Sequence, residues 1–132
     1  MKTNRCLVVD DNPDLLKITS LMLARVADVE ICCCDSAAAA LATFAAAPND
    51  FAFVITDMDM PNMNGQELCH RLHELAPDLK IVLSTGSSLV SEADAEANGF
   101  FRMLHKPFPL DHLRAAVNAL QTFAQPALAV AA

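Results

Sequence analysis

The chain has 132 residues, of which 54% are hydrophobic, and a formal net charge of −7 at pH 7. This length predicts one domain with a sizeable core. The negative charge argues against a nucleic-acid-binding surface and suits a carboxylate cluster that holds a cation. No apolar run approaches the roughly 20 residues that span a bilayer, and the N-terminus lacks the successive regions of a signal peptide. We therefore expect a cytoplasmic protein that makes no contact with a membrane.

Five apolar runs alternate with five segments of helical character along the chain. The predicted strands are 6–9, 29–34, 51–57, 80–84 and 101–104, and the predicted helices are 13–27, 37–47, 65–75, 91–98 and 110–124. Apolar residues recur at helical spacing in the first and third helices, as Leu15, Ile18, Met22 and Val26 and as Leu68, Leu72 and Leu75. The alternation predicts a doubly wound α/β domain, with a five-stranded parallel sheet flanked by five helices. We assign the domain to residues 1–125 and expect 126–132 to form a flexible tail.

The run 51–57 is the centre of this pattern. It is apolar except for Thr56 and Asp57, which is typical of a strand that is buried on both faces of a parallel sheet. Pro61 cannot continue a central strand, so Asp57 is predicted to lie where the buried strand gives way to a loop.

Other predicted strands also end in side chains that can act chemically. Asp10 and Asp11 follow the first strand, and Thr85 and Lys106 follow the fourth and the fifth. Because the carboxyl ends of parallel strands lie on one edge of a sheet, we expect these side chains to converge with Asp57.

Such a group of side chains suits phosphoryl chemistry. Three carboxylates in a partly buried site repel one another unless a cation lies among them. Mg²⁺ suits the site because it takes oxygen ligands and needs only one or two carboxylates beside a phosphate oxygen and several waters. Asp57 is then placed to act as a nucleophile toward phosphorus and to form an aspartyl phosphate. Lys106 would offset the phosphoryl charge, and the Thr85 hydroxyl would bond a phosphoryl oxygen.

The arrangement of these residues, at the ends of four of the five predicted strands, resembles the receiver domain of two-component response regulators. The resemblance covers about 5–123 and rests on the segments Val8–Asp11, Ile55–Asp57 with Met60, Pro61 and Gly65, Ser84–Gly86, and Lys106–Phe108. It implies a flavodoxin-like sheet of order 2-1-3-4-5. It also implies a conformational switch that takes a phosphoryl group from the phosphohistidine of a histidine kinase or a histidine phosphotransfer protein and loses it by slow self-catalysed hydrolysis.

The resemblance implies a role for each acidic residue of the site. Asp57 is the phosphoacceptor. Asp11 and Asp57 bind Mg²⁺ through their carboxylates, Asp59 binds it through its backbone carbonyl, and Asp10 acts through a metal-bound water.

By the same resemblance, Thr85 and Lys106 hold the phosphoryl group, and a cis bond between Lys106 and Pro107 turns the lysine toward it. One position departs from the family pattern. Receiver domains usually have Tyr or Phe three residues before this lysine, as a rotamer switch paired with the threonine, and here the residue is Met103. The departure leaves phosphorylation untouched. We expect the signal either to be weakly coupled to the surface that helix four, strand five and helix five form or to run through another face, such as helix one.

Two other functions stay open at this stage. Mg²⁺-dependent phosphatases and phosphotransferases that form an aspartyl phosphate also carry a second acid two residues after the nucleophile, as Asp59 follows Asp57. Those enzymes carry a cap domain for the substrate, for which 132 residues leave no room. A pseudo-receiver would bind partners without phosphorylation, and the intact Asp57, Asp11 and Lys106 argue against it. A free-standing regulator and a receiver attached to a hybrid histidine kinase are both open, as is an output domain or protein partner.

Cysteine and histidine residues offer further candidate sites. The five cysteines have no CxxC spacing, and we interpret them as small apolar filler rather than as a redox sensor. His70 and His73, three residues apart, have a spacing that can bind a metal, but we interpret them as part of an exposed polar face.

Overall fold

Five parallel strands form one sheet in the order β2-β1-β3-β4-β5, which is the order that the resemblance implied. The computed structural model describes residues 4–124, so the predicted tail, 126–132, lies outside the described residues. The strands are β1 (Arg5–Val9), β2 (Glu30–Cys34), β3 (Phe51–Asp57), β4 (Lys80–Thr85) and β5 (Arg102–His105). The helices are α1 (Pro13–Val26), α2 (Ala37–Ala46), α3 (Gly65–Leu75), α4 (Glu92–Ala97) and α5 (Leu110–Ala124). A short 3-10 helix, Pro48–Asp50, precedes β3.

The helices cover both faces of the sheet, and each face has its own apolar core. One core joins β-strand residues to α2, α3 and α4, with Phe44, Leu68 and Leu72 fully buried. The other joins the sheet to α1 and α5 through Leu23 and Leu113. β3 lies in the middle of the sheet and is buried along almost its whole length, which confirms the prediction from its apolar sequence.

Local side-chain bonds set the starts of the helices that follow the strands. The Asn12 side chain accepts hydrogen bonds from the backbone N–H groups of Asp14 and Leu15, and Pro13 occupies the first turn of α1, where no N–H is needed. Ser91 and Asp94 form a reciprocal capping box at the start of α4. Within residues 4–124, none of the helices has both the length and the apolar character of a transmembrane span.

The apolar spacing located the helices correctly but identified their buried faces only in part, since Leu68 and Leu72 of the predicted α3 face are fully buried. In α1 the fully packed residues are Thr19 and Leu23, whereas Leu15 and Ile18 are 37% and 51% exposed. In α3, Leu75 is likewise 49% exposed. Both helices carry more apolar residues than their contact with the sheet covers, so part of the apolar surface faces solvent.

Two of the expectations for cysteine and histidine need correction. Cys6, Cys34 and Cys69 are buried filler as predicted, but Cys33 is exposed because β2 is an edge strand that is not fully covered. His73 does not belong to an exposed polar face. Its Nε2 lies 2.8 Å from the carbonyl oxygen of Leu79, and its ring is partly buried, so it ties α3 to the start of β4.

Candidate functional site

The carboxyl edge of the sheet brings Asp10, Asp57 and Lys106 into direct contact. Lys106 Nζ donates to Asp10 Oδ2 at 2.8 Å and to Asp57 Oδ1 at 3.1 Å. The Asp10 and Asp57 side chains are only 6% and 11% exposed, and that of Lys106 is 17% exposed. Lys106 therefore forms one buried ionic network with residues that lie 49 and 96 positions before it in the sequence.

Backbone contacts fix the two ends of this network. The Asn12 N–H donates to Asp10 Oδ1 at 2.9 Å, so the loop that begins α1 also orients the Asp10 carboxylate. The Lys106 N–H donates to the carbonyl oxygen of Thr85 at 2.8 Å, which holds the turn after β5 against the end of β4. The Lys106–Pro107 peptide bond is cis, as predicted.

One ammonium is shared by two buried carboxylates, so the site holds more negative charge than positive charge. Burial raises the pKa of Asp57 above its ordinary value; the charge and hydrogen bond of Lys106 lower it in part, and the charge of Asp10 raises it again. Burial lowers the pKa of Lys106, but the hydrogen bond to Asp10 and the charges of Asp57 and Asp10 outweigh burial and leave that pKa raised. The site thus favours the charged lysine and disfavours the second carboxylate charge.

A bound cation would balance the excess negative charge, and the residues of the site can bind one. Asp10, Asp11 and Asp57 each offer a carboxylate oxygen, and these atoms all lie within 4.8 Å of one another. Asp11 is exposed, so the group opens to solvent on one side. Hard oxygen donors with room for water are what Mg²⁺ prefers. The side chain of Asp59 is not in this group and is exposed, which is compatible with a role for its backbone alone.

The structure does not bring the Thr85 hydroxyl into the ionic network. Thr85 is fully buried, and its Oγ1 accepts a hydrogen bond from the N–H of Ser87 at 3.1 Å. The hydroxyl therefore stabilises the loop between β4 and α4 in this state.

Residues 6–118 match the family that is described as response regulator receiver domain. The chain belongs to this family. The receiver domain is 34% identical over 118 residues to the response regulator receiver protein CpdR of Brucella abortus, and the match covers 89% of this chain and 93% of CpdR. It is 33% identical over 129 residues to the DNA-binding transcriptional regulator NtrC of Azospirillum brasilense; there the match covers 96% of this chain but only 26% of NtrC.

Solved structures agree with the sequence relatives. The receiver domain superimposes with a TM-score of 0.78 on the response regulator TrrA of Thermotoga maritima, whose crystal structure is a complex with Mg²⁺-BeF. The two are 29% identical, and the superposition covers 91% of this chain and 99% of TrrA. The chemotaxis protein CheY4 of Vibrio cholerae, at 24% identity and a TM-score of 0.78, shares the fold.

Gly65 of the receiver domain has a role at the site that its sequence context did not reveal. A Cβ atom at this position would lie 2.2 Å from the backbone oxygen of Asp57, which is too close for any other residue. The Gly65 N–H donates to the carbonyl oxygen of Met58 at 2.8 Å. Glycine therefore lets the start of α3 pack directly against the loop that carries Asp57.

A groove that the sequence did not predict lies beside the site. It has a volume of about 340 Å³ and lies between α1 and the turn after β5, with Leu15, Ile18, Thr19, Met22, Lys106, Pro107 and Phe108 lining it. The signal for it was present as surplus apolar residues on α1, but only their exposure shows that they form a surface.

Ser84, like Gly65, has a place at the site that its sequence context did not reveal. It is the one polar residue in the β4 run Ile81–Ser84. It is 4% exposed, and its Oγ has no hydrogen-bond partner among residues 4–124. Ser84 pairs in register with Asp57 on β3, and this pairing places the Ser84 hydroxyl beside the ionic network.

Proposed function

We propose that Asp57 accepts a phosphoryl group from the phosphohistidine of a histidine kinase or a histidine phosphotransfer protein, with Mg²⁺ bound beside it. The observation that carries this proposal is the Asp57 carboxylate itself, buried among two other carboxylates and 3.1 Å from Lys106 Nζ. Membership of the receiver family supports the same chemistry.

In the reaction an oxygen of the Asp57 carboxylate attacks phosphorus while the P–N bond of the phosphohistidine breaks. The donor histidine keeps the electron pair of that bond, and Asp57 carries the phosphoryl group as an acyl phosphate. Mg²⁺, when bound, neutralises charge on the phosphoryl oxygens. Lys106 already lies against the attacking group, so its ammonium has only to exchange Asp57 Oδ1 for a phosphoryl oxygen.

The residues proposed to hold Mg²⁺ are Asp11 and Asp57 through their carboxylates, Asp59 through its backbone carbonyl and Asp10 through a water. Support comes from the three clustered carboxylates and from TrrA, which binds Mg²⁺-BeF and is 29% identical. Thr85 is proposed to bond a phosphoryl oxygen. Its Oγ1 accepts a hydrogen bond from the N–H of Ser87, so the hydroxyl proton is free to be donated to a phosphoryl oxygen. A movement of Thr85 toward that oxygen would shift the loop before α4 and begin the conformational switch.

The groove beside Lys106 is proposed to receive the helix of the partner that presents the phosphohistidine. A donor must bring its imidazole to Asp57, so it has to cover the rim of the site. Leu15 and Ile18 expose apolar surface at that rim, and Phe108 completes the groove on the other side. An amphipathic helix laid in this groove would bury the apolar surface that the receiver domain leaves open.

The test is phosphorylation by a small acyl phosphate in the presence of Mg²⁺, read by intact mass. We expect the wild-type protein and Asp59→Asn to gain one phosphoryl group, because the side chain of Asp59 takes no part. We expect Asp57→Asn to gain none, and a chelator to abolish the gain in the wild type. A phosphorylated Asp57→Asn variant, or a wild type that stays unmodified with donor and Mg²⁺, would refute the assignment.

The receiver match favours this function over an aspartyl-phosphate phosphatase or a pseudo-receiver. Receiver domains are generally phosphorylated by histidine kinases, and relatives such as NtrC are much longer than this chain. The identity of the kinase, the output partner and the cytoplasmic location stay predictions.

A further inference from the structure

The Ser84 side chain lies on the same face of the sheet as the ionic network. Ser84 pairs in register with Asp57 on β3 and with Leu104 on β5, and side chains of paired residues in parallel strands point the same way. Leu104 belongs to the core beneath α1 and α5, which fixes that face.

Lys106 must pass over Ser84 to reach its partners. The lysine follows β5, whereas Asp57 and Asp10 belong to β3 and β1, and β4 lies between β5 and β3 in the sheet. The Lys106 Cβ lies 4.0 Å from the position that a Cβ at Gly86 would take, so the side chain starts beside the end of β4. Its ammonium ends at Asp57 Oδ1 and Asp10 Oδ2. Ser84 therefore lies under the path of the lysine.

Within the part of the chain that the structure describes, the buried hydroxyl of Ser84 has no hydrogen-bond partner, which is unusual enough to need a reason. An ammonium has three donors, and Lys106 uses two of them on Asp10 and Asp57, so one is left for a third acceptor. When Asp57 becomes an acyl phosphate, it loses its negative charge and its oxygen becomes a poor acceptor. The lysine must then find new partners close to its present position.

We propose that Ser84 is a positioning residue for Lys106, whose ammonium donates its third N–H to the Ser84 hydroxyl once Asp57 is phosphorylated. The three donors of Lys106 are then shared among a phosphoryl oxygen, Asp10 Oδ2 and Ser84 Oγ. The serine holds the lysine in the phosphorylated state and does nothing for the unmodified one, which accounts for its unpaired hydroxyl. This inference rests on the proposed function of Asp57.

The test compares Ser84→Ala, Ser84→Thr and Ser84→Cys in the presence of Mg²⁺ and beryllofluoride, a mimic of the phosphoryl group. We expect Ser84→Ala to weaken binding of the mimic about tenfold, because a hydrogen bond to a charged group is lost. Ser84→Thr keeps the hydroxyl and should restore binding, whereas Ser84→Cys keeps the size but is a weak acceptor and should behave like alanine. Ser20→Ala on α1, which removes a hydroxyl bonded to the Lys17 carbonyl, is the control.

Two further measurements separate positioning from a structural role. Urea unfolding of the unmodified protein should show no loss of stability in Ser84→Ala, since the removed hydroxyl has no partner. The ¹³Cε signal of Lys106 should shift on binding of the mimic in the wild type and in Ser84→Thr, and shift less in Ser84→Ala.

The outcomes distinguish this inference from the proposed function. A wild type that neither binds beryllofluoride nor gains a phosphoryl group would refute the proposed function itself. A wild type that does both, beside a Ser84→Ala variant with unchanged affinity and an unchanged Lys106 signal, would refute only the role of Ser84. A Ser84→Ala variant whose unmodified state is destabilised as much as its complex would show a structural residue and overturn the inference too.

Discussion

Replacing Lys106 with methionine removes an ammonium that contacts both Asp10 and Asp57 while keeping most of the side-chain volume. Both carboxylates are buried, so water cannot fully replace the lost ion pairs. A buried pair that loses one partner typically costs 3–5 kcal/mol; we expect about 3 kcal/mol here, because the exposed Asp11 shows that solvent reaches one side of the cluster. The unfolding free energy of the Mg²⁺-free protein at neutral pH should fall by this amount.

The same variant should show a defined pH dependence. Burial raises the pKa of Asp57, and Lys106 offsets part of that rise. Without Lys106, the folded protein therefore binds a proton on Asp57 more tightly than the unfolded chain does, so stability rises as pH falls toward the ordinary carboxyl range of about 4. The deficit relative to wild type should therefore shrink in mild acid. In the wild type, the raised pKa of Asp57 likewise means that the ionised carboxylate is less favourable in the folded protein than in the unfolded chain. Asp57→Asn should therefore stabilise the Mg²⁺-free protein at neutral pH. The raised pKa of Lys106 adds stability that is present below about 10.5 and lost as pH rises through the folded value.

The assay is urea unfolding with a chelator present, at neutral pH and at about pH 5. Lys17→Met, which removes an exposed lysine on α1, is the matched control and should be nearly neutral. Lys106→Met should cost less in an Asp57→Asn background, where only one carboxylate is left unpaired. Added Mg²⁺ should return part of the lost stability because it binds only the folded site. A Lys106→Met deficit below about 1 kcal/mol, or one that does not depend on pH, would refute the reasoning.

Three further predictions concern the surroundings of the site. Gly65→Ala should destabilise the protein by about 1–3 kcal/mol in urea unfolding, because its Cβ would lie 2.2 Å from the Asp57 backbone oxygen; a neutral result would show that α3 moves freely. Ile18→Asp should slow phosphotransfer from a kinase but not from a small phosphodonor, whereas Leu21→Asp, exposed but outside the groove, should affect neither; equal effects of the two variants would exclude the groove. Met103→Tyr should enlarge the amide chemical-shift changes that beryllofluoride and Mg²⁺ cause in α4, β5 and α5, because an unbranched thioether changes that surface less than a ring does. Large changes there in the wild type, with few near α1, would contradict this expectation.

Much of the fold could be predicted because its signals are local in sequence. A buried strand needs an uninterrupted apolar run, as in 51–57, and a helix start needs a cap such as Asn12 with Pro13. The convergence of Asp10, Asp57 and Lys106 was equally predictable, since parallel strands bring their carboxyl ends to one edge. The strand order came from the family resemblance, because no local pattern distinguishes which strand lies beside which.

What the sequence by itself determined was therefore the elements and the residue types at the sheet edge. Only the tertiary structure decided how those residues are bonded: that Thr85 contacts Ser87 rather than the ionic network, that Ser84 is buried without a partner, and that Ile18 faces solvent while Thr19 is packed. The reason is physical. Burial and hydrogen bonding depend on which elements pack together, and that packing is set by contacts between residues far apart in the chain, which neither spacing nor composition can reveal.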